Sequence, residues 1–400
     1  MLQLSFVKFT AGSYLLVEGT DSNDRFYIIQ TGKVKCYHEM PVPGASVKNL
    51  GPGDFVGVIP CMSGHSQTET VTALTDVTTI VVRHDQYPEL IRTNNAIAMK
   101  IIRYFAREMR LLNDTRTKIT LKKSATDTPE ELYNIAEYYN EQGSLNIASY
   151  AYYQYLKRLP EGENIDAAKK ALVRLKGKAH PVYLESTPDL IRNYPIDSMI
   201  FADCQYGPDM FIIQDGTVKI TKVIEGQEVI LAMLKKGDMF GEMALLDNKP
   251  RSASAITHSD CKVMVVNASN FNMMVTSQPD FIARLSTMLA DRIWSMYRQL
   301  LNGQLTDSRE RMIDMLALQL ELRKVPFEKG APFQTDFTPQ DLVNLAGIEA
   351  AQQKQAIYAL FSDQNIKVKG GKIQVPDVQE LEKQAAFYRN SMSRRAAKQQ

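Results

Sequence analysis

The chain of 400 residues is poor in the groups that most often carry chemistry: it has four cysteines, five histidines and one tryptophan. The cysteines, Cys36, Cys61, Cys204 and Cys261, stand far apart with no Cys-x-x-Cys pair, and the histidines are equally scattered. Neither a disulfide framework nor a zinc site is indicated, and buried free thiols are expected. No apolar run reaches the roughly 18 residues of a membrane helix, and nothing near the N-terminus joins a basic start, an apolar block and a small-residue cleavage site. A cytoplasmic protein with no membrane partner is therefore expected. The formal net charge of +2 is too small to recognise a polyanion globally, so local clusters must carry any such case. Paired carboxylates, nucleophile–base arrangements and metal spacings are also missing, which predicts no enzyme, no catalytic residue, no metal and no cofactor. The remainder, 44% hydrophobic and 23% charged, suits a soluble globular protein. Its length leaves room for roughly two to four domains.

One stretch stands out: Phe240-Gly241-Glu242-Met243-Ala244-Leu245-Leu246-Asp247-Asn248-Lys249-Pro250-Arg251-Ser252-Ala253. It places a Gly-opened turn, a carboxylate, an apolar helical turn and an arginine at fixed offsets. Gly241 lets the backbone come close, and the turn from Met243 to Leu246 offers unpaired amides and a positive dipole end. Arg251 can meet an anion with a two-pronged guanidinium, Pro250 helps set where it points, and Glu242 can accept from a hydroxyl. Either charge alone would read as an ordinary surface group. Together they suit a small cyclic phosphate with a ribose hydroxyl.

The run resembles the phosphate-binding cassette of the cyclic nucleotide-binding domain, found in catabolite activator proteins, protein kinase A regulatory subunits and nucleotide-gated channels. The resemblance assigns the ribose to Glu242 and the cyclic phosphate to Arg251, with Gly241, Met243, Ala244 and Ser252 beside it. The implied ligand is cAMP or cGMP, with cAMP favoured by the family.

The chain also repeats itself. Phe26-Tyr27-Ile28-Ile29 before Thr31-Gly32 and Val34-Lys35-Cys36-Tyr37 returns as Phe211-Ile212-Ile213-Gln214-Asp215-Gly216-Thr217-Val218-Lys219, and Gly53-Asp54 returns as Gly237-Asp238, with Ile29 and Ile213, like Gly53 and Gly237, 184 positions apart. Short β-branched and aromatic runs cut by Gly, Asp and Asn predict strands and turns in both copies. At the same offset Glu242 corresponds to Val58 and Arg251 to Gln67, while Gly241 keeps Gly57. The first copy has lost both charged groups and is expected to be structural. His65, Gln67 and Thr68 serving another ligand is the competing view.

Ile97, Ile101, Ile102, Phe105, Met109 and Leu112 recur at helical steps, as do Phe281, Leu285, Leu289, Ile293 and Met296. Each copy thus ends in a long amphipathic helix, Ala96 to Leu112 and Pro279 to about Leu301. These are expected to pair as an internal pseudo-dimer or through a homodimer. Trp294, on the second helix, could stack on a base or serve a core. Residues 113 to about 128, with Lys118, Lys122, Lys123, Asp127 and Thr128-Pro129, read as a polar linker. Then Leu132, Ala136, Tyr139, Gly143, Ala148, Tyr152, Tyr155 and Pro160 fall at the spacings of one tetratricopeptide repeat, with a further helix from Asp166 to Leu175. One such unit cannot bury its own faces, so it should pack on a nucleotide-binding domain or a twin subunit; a groove for a protein partner is the alternative use.

In the last hundred residues a helix from Asp307 to Leu322 precedes Thr338-Pro339 and a helix, a turn at Gly347, and a second helix from Glu349 to Phe361. Two strands around Gly370-Gly371 follow. This resembles the winged helix that ends the catabolite activator and oxygen-sensing regulator family. The second helix departs from that family, since it lacks the usual arginine and offers Gln352, Gln353, Lys354 and Gln355. Lys367, Lys369, Lys372, Arg389, Arg394, Arg395 and Lys398 could meet phosphates of double-stranded DNA.

The expected architecture is α+β: two β-jelly-roll cyclic nucleotide-binding domains with C-terminal helices, a helical insert and a winged helix-turn-helix. Its divisions are a degenerate domain at 1–120, the insert at 121–180, the binding domain at 181–303, and the winged helix with a basic tail at 304–400. The expected function is a nucleotide-responsive DNA-binding transcriptional regulator. The alternative is a signalling adaptor that senses nucleotide, docks proteins and no longer reads DNA.

Overall fold

The computed structural model describes the chain apart from residues 1–3, 22–23, 40–41, 43–45, 122–127, 186, 225, 349 and 398–400. The linker positions Lys122, Lys123 and Asp127, the helix start Glu349 and the tail residue Lys398 lie outside the described residues. Strand alternation in the first copy yields β1 (Ser5–Phe9), β2 (Tyr14–Leu16), β3 (Arg25–Thr31), β4 (Val34–Tyr37), β5 (Lys48–Leu50), β6 (Phe55–Val56), β7 (Thr70–Ala73) and β8 (Val77–Arg83). They form two antiparallel sheets in the orders β1-β8-β3-β6 and β2-β7-β4-β5. Leu16, Ile29, Val34, Val56 and Val71 fill the space between them.

In the second copy, β9 (Ile191–Tyr194), β10 (Met199–Phe201), β11 (Met210–Asp215), β12 (Thr217–Ile224), β13 (Gln227–Lys235), β14 (Met239–Phe240), β15 (Ser254–Thr257) and β16 (Cys261–Val266) repeat that order strand for strand. Phe201, Phe211, Phe240, Val218 and Val263 make its core. The duplication read from the sequence is thus a duplicated jelly roll.

Helix α1 (Val58–Ser63) follows β6, and α2 (Tyr87–Thr93) leads into α3 (Asn95–Leu121). Residues 113–121 therefore belong to a helix, where the sequence reading places linker. Burial explains the difference: Leu112 packs with Val42, Tyr297, Leu300 and Leu301, and Thr115 is buried one turn on. Helices α4 (Glu131–Glu141), α5 (Leu145–Arg158) and α6 (Ile165–Leu175) come next. Their interlocked Ala136, Tyr139, Ala148, Tyr152 and Tyr155 share one apolar cluster with Met199, Ala202, Cys204 and Ile256 of the second barrel. Tyr139 Oη donates to Glu228 at 2.7 Å and Tyr150 Oη to the Ile200 carbonyl at 3.1 Å, so the three helices are docked on that barrel by polar contacts too.

After α7 (Glu242–Asp247) and α8 (Ala268–Ser277), α9 (Pro279–Asn302) ends the second copy. The C-terminal region holds α10 (Ser308–Leu322), β17 (Phe333–Gln334), α11 (Pro339–Leu345), α12 (Ala350–Phe361), β18 (Lys367–Lys369), β19 (Lys372–Val375) and α13 (Val378–Ala397), with the sheet ordered β17-β19-β18. Thr338 caps α11 by accepting from the Asp341 amide while Asp341 accepts from the Thr338 amide. Asp314 of α10 is fully buried. It accepts from Arg298 at 3.3 Å and Asn302 at 2.9 Å on α9, and from Arg389 at 2.6 Å on α13. Arg389 is thereby taken out of the basic tail: its guanidinium is spent on Asp314 and Glu382.

The chain divides into two compact units. One comprises Met1–Tyr87, Leu111–Lys122 and Ser286–Gln400; the other comprises Pro88–Arg110 and Lys123–Leu285. The first barrel thus shares a unit with most of α9, which follows the second barrel, and the second barrel shares a unit with the start of α3, which follows the first.

Candidate functional site

Gly241 opens the cassette with φ 77°, in the left-handed region, and Asn248 closes α7 there with φ 53°. A Cβ at Gly241 would stand 2.8 Å from Arg251 Nη1, so backbone freedom and close approach both demand glycine. Between these two turns Glu242, Met243 and Ala244 are buried, and Ser252 Oγ lies 3.9 Å from Met243 Sδ. Arg251, 5% exposed, donates to the carbonyls of Gly241 and Asp209 at 2.6 Å each, and its guanidinium lies 4.2 Å from the centre of the Phe201 ring. Its Nε has no partner, and no carboxylate pairs with it among the described residues. Burial lowers its pKa to about 10, against the pull of Asp209, Tyr150 and Glu242; it remains a cation at neutral pH. A buried cation held by carbonyls and ring faces alone is under-compensated, and a bound anion would complete it.

The first copy keeps the frame and loses the charge. Gly57 has φ 75° and Gly64 φ 73°, matching Gly241 and Asn248 at the 184-residue offset, and α1 matches α7 residue for residue. Buried Val58 and Gln67 stand in the places of Glu242 and Arg251. Here α9 covers the cassette: Trp294 stacks on His65 with ring centres 3.8 Å apart and an interplanar angle of 14°, while Asp291 and Glu321 lie 3.7 and 3.6 Å from the His65 nitrogens. Trp294 is fully buried, with Arg298 near its ring as well, so it serves the core and is not offered to a base.

The equivalent position on α3 is Arg110, 184 residues earlier. It grips the second cassette, with Nε and Nη2 donating to the Asp247 carboxylate at 2.7 and 3.1 Å and Nη2 also to the Pro250 carbonyl at 3.2 Å. Each helix therefore touches the cassette of the other copy. The sequence reading missed Arg110, although the repeat offset that pairs it with Trp294 was a usable signal.

A profile of the cyclic nucleotide-binding domain matches residues 6–94 and 191–278, the two barrels with their cassettes. Each of the two barrels is thus similar in sequence to the cyclic nucleotide-binding domain. Over 195 residues the chain is 27% identical to the CRP-like cAMP-activated global transcriptional regulator of Mycobacterium tuberculosis, covering 48% of this chain and 87% of that protein. It is likewise 27% identical over 192 residues to the cyclic AMP receptor protein of Thermus thermophilus, covering 48% and 86%. Among solved structures, CprK complexed with OCPA is similar over 48% of this chain and 88% of its own, at 15% identity and a TM-score of 0.40. No helix among the described residues is long and apolar enough to cross a membrane.

The second nucleotide-binding domain holds a cavity of about 210 Å³ that only Arg251 reaches from the cassette residues named above. Tyr150, Gln154, Lys157 and Arg158 of α5 line its other side, with Arg192 and Asp209. Arg192 was invisible to the sequence reading because alternation in β9 turns it inward while Ile191 is exposed.

In the C-terminal region Gln352, Lys354, Gln355, Lys367, Lys369 and Lys372 are exposed. Gln353 is different. It accepts from Gln340 at 2.8 Å and donates to the Ile348 carbonyl at 3.1 Å, so it braces the turn between α11 and α12.

Proposed function

We propose that the chain is a non-enzymatic cyclic nucleotide receptor in which the second domain binds one nucleotide, cAMP in preference to cGMP, and the C-terminal region carries a DNA-binding, transcriptional output. The single observation that supports the ligand most is Arg251, a buried guanidinium with an unpaired Nε beside a glycine at positive φ whose Cβ would crowd it. In this reading Arg251 takes the cyclic phosphate and Glu242 the ribose hydroxyl, with Gly241, Met243, Ala244 and Ser252 framing them. Val58 and Gln67 leave the first domain without either group, and its cassette is closed over by Trp294. The cAMP-activated regulators similar to this chain favour cAMP and the transcriptional role.

The output rests on the arrangement from α10 to α13, read as a winged helix. Lys367, Lys369 and Lys372 line the exposed turn between β18 and β19, where they suit phosphates, and Gln352 and Gln355 are the exposed candidates for base edges. Helix α9, which follows the second barrel in the chain, meets this region through the Asp314 cluster. The adaptor reading gains from Tyr358, Phe361 and Leu345, which expose apolar surface on α11 and α12. The deciding experiment is binding to random duplex DNA across salt concentrations, with and without cAMP. Affinity that falls steeply with salt and responds to cAMP supports the regulator; no binding at low salt supports the adaptor.

A further inference from the structure

The cavity between α5 and the second barrel has a chemistry of its own. Arg192, Arg251, Lys157 and Arg158 contribute four positive charges to its lining against two negative ones from Asp209 and Glu185. Two of the arginines, Arg192 and Arg251, are each 5% exposed, and each has an Nε with no acceptor. Arg192 spends Nη2 on the Thr187 carbonyl at 3.0 Å, with the Asp209 carboxylate 4.0 Å away. A charged donor left unmade in a buried place is costly, and both arginines that carry one stand in the wall of the same cavity, which marks it as a place for an acceptor. Around them polar side chains, among them Gln154 and Gln205, alternate with apolar and aromatic ones. Leu132, Ile200 and Phe211 contribute, and Tyr206 lies under Arg158 with 4.1 Å from guanidinium to ring centre. At about 210 Å³ the space is below the roughly 300–1,000 Å³ of ordinary small-molecule sites, which points to a ligand smaller than a nucleotide.

We propose that this cavity is a second ligand site, separate from the cassette, for a small molecule that joins one phosphate or carboxylate group to a single ring. The anion meets Arg192 and the Nε side of Arg251, and the ring lies against Tyr206 and the apolar wall. The helical insert supplies half of the site, which gives it a role beyond covering the barrel. Arg251 is shared with the cassette, so two anions draw on one guanidinium. Each ligand therefore weakens the other, and by linkage the effect is reciprocal.

The test is calorimetric titration of the full chain with phenyl phosphate and, separately, benzoate. The expected result is saturable binding of at least one probe, weakened about tenfold or more by Arg192→Gln and by Lys157→Glu. Glu242→Ala should leave probe binding intact while weakening cAMP, which separates this site from the nucleotide reading. Saturating probe should raise the cAMP dissociation constant of the unmodified protein and leave that of Arg192→Gln unchanged. If Arg192→Gln does not fold, Lys157→Glu decides, because Lys157 is half exposed. No saturable binding of either probe at millimolar concentration, binding indifferent to the Lys157 and Arg192 changes, or loss with Glu242→Ala would each overturn the proposal; the last would place the probe in the cassette.

Discussion

Removing the Arg110 side chain should weaken the second nucleotide-binding domain from a helix that belongs, in sequence, to the first. Arg110 and Asp247 side chains are 12% and 6% exposed, and three hydrogen bonds join the arginine to the cassette loop. Taking away one partner of a buried pair costs about 3–5 kcal/mol, mostly through the charge left behind. Asp247 keeps the Lys249 amide at 3.2 Å, which offsets part of that, so Arg110→Ala should cost about 2–3 kcal/mol. Asp247→Ala removes the stranded carboxylate itself. The double variant should therefore cost less than the two singles added, by about 2 kcal/mol of coupling. Guanidinium denaturation followed by circular dichroism reads this as midpoint shifts across the four proteins. Because Pro250 precedes Arg251, the released loop should also aim the guanidinium less well and weaken cAMP by about tenfold, equivalent to about 1.4 kcal/mol. Additive singles, with coupling below about 0.5 kcal/mol, would refute the exchange of helices between cassettes.

Gly241→Ala should abolish cAMP binding, because its Cβ would collide with Arg251 Nη1 in a backbone conformation that also disfavours alanine by about 1–2 kcal/mol. Gly57→Ala, which meets Leu16 at 2.8 Å, should lower the melting temperature and leave cAMP affinity unchanged; calorimetry on both proteins checks this. Acid should loosen the C-terminal region through Asp314. Burial would raise its pKa, but Arg298, Arg389 and Asn302 outweigh burial and hold it below the ordinary 3.8. Its stabilisation is complete above the unfolded value and is lost as pH falls through the lower folded one, so melting temperature should drop as pH falls below about 4. Asp314→Asn should flatten that drop, and an identical profile would exclude Asp314 as its source. If DNA is bound, losing any one of Lys367, Lys369 or Lys372 should lower the salt slope by about one unit, while Gln352→Ala and Gln355→Ala should alter preference among duplexes. An unchanged slope removes the turn between β18 and β19 from the interface.

Much of this fold was legible because it is written twice. The 184-residue offset and the short apolar alternation located both barrels, and the cassette motif singled out the turn in which the fold buries Glu242 and Arg251. Thr338, Pro339 and Gly347 gave helix ends by local chemistry alone. The rest depends on packing between distant segments. A polar stretch such as 113–121 reads as linker until Leu112 and Thr115 are seen to be buried. Arg389 reads as a tail cation until Asp314 is found beneath it. Gln353 reads as a base reader until Gln340 and the Ile348 carbonyl claim it. Arg192 occupies an inward position of an alternating strand, where a sequence pattern expects an apolar residue, so its burial shows only in the fold.

Titration calorimetry of the full chain with cAMP and with cGMP tests the central claim most directly. One site per chain is predicted, tighter for cAMP, and lost in Arg251→Ala protein that circular dichroism shows to be folded. Two equivalent sites, or binding that survives Arg251→Ala, would contradict it, since either would mean that Val58 and Gln67 still leave the first domain able to hold a nucleotide.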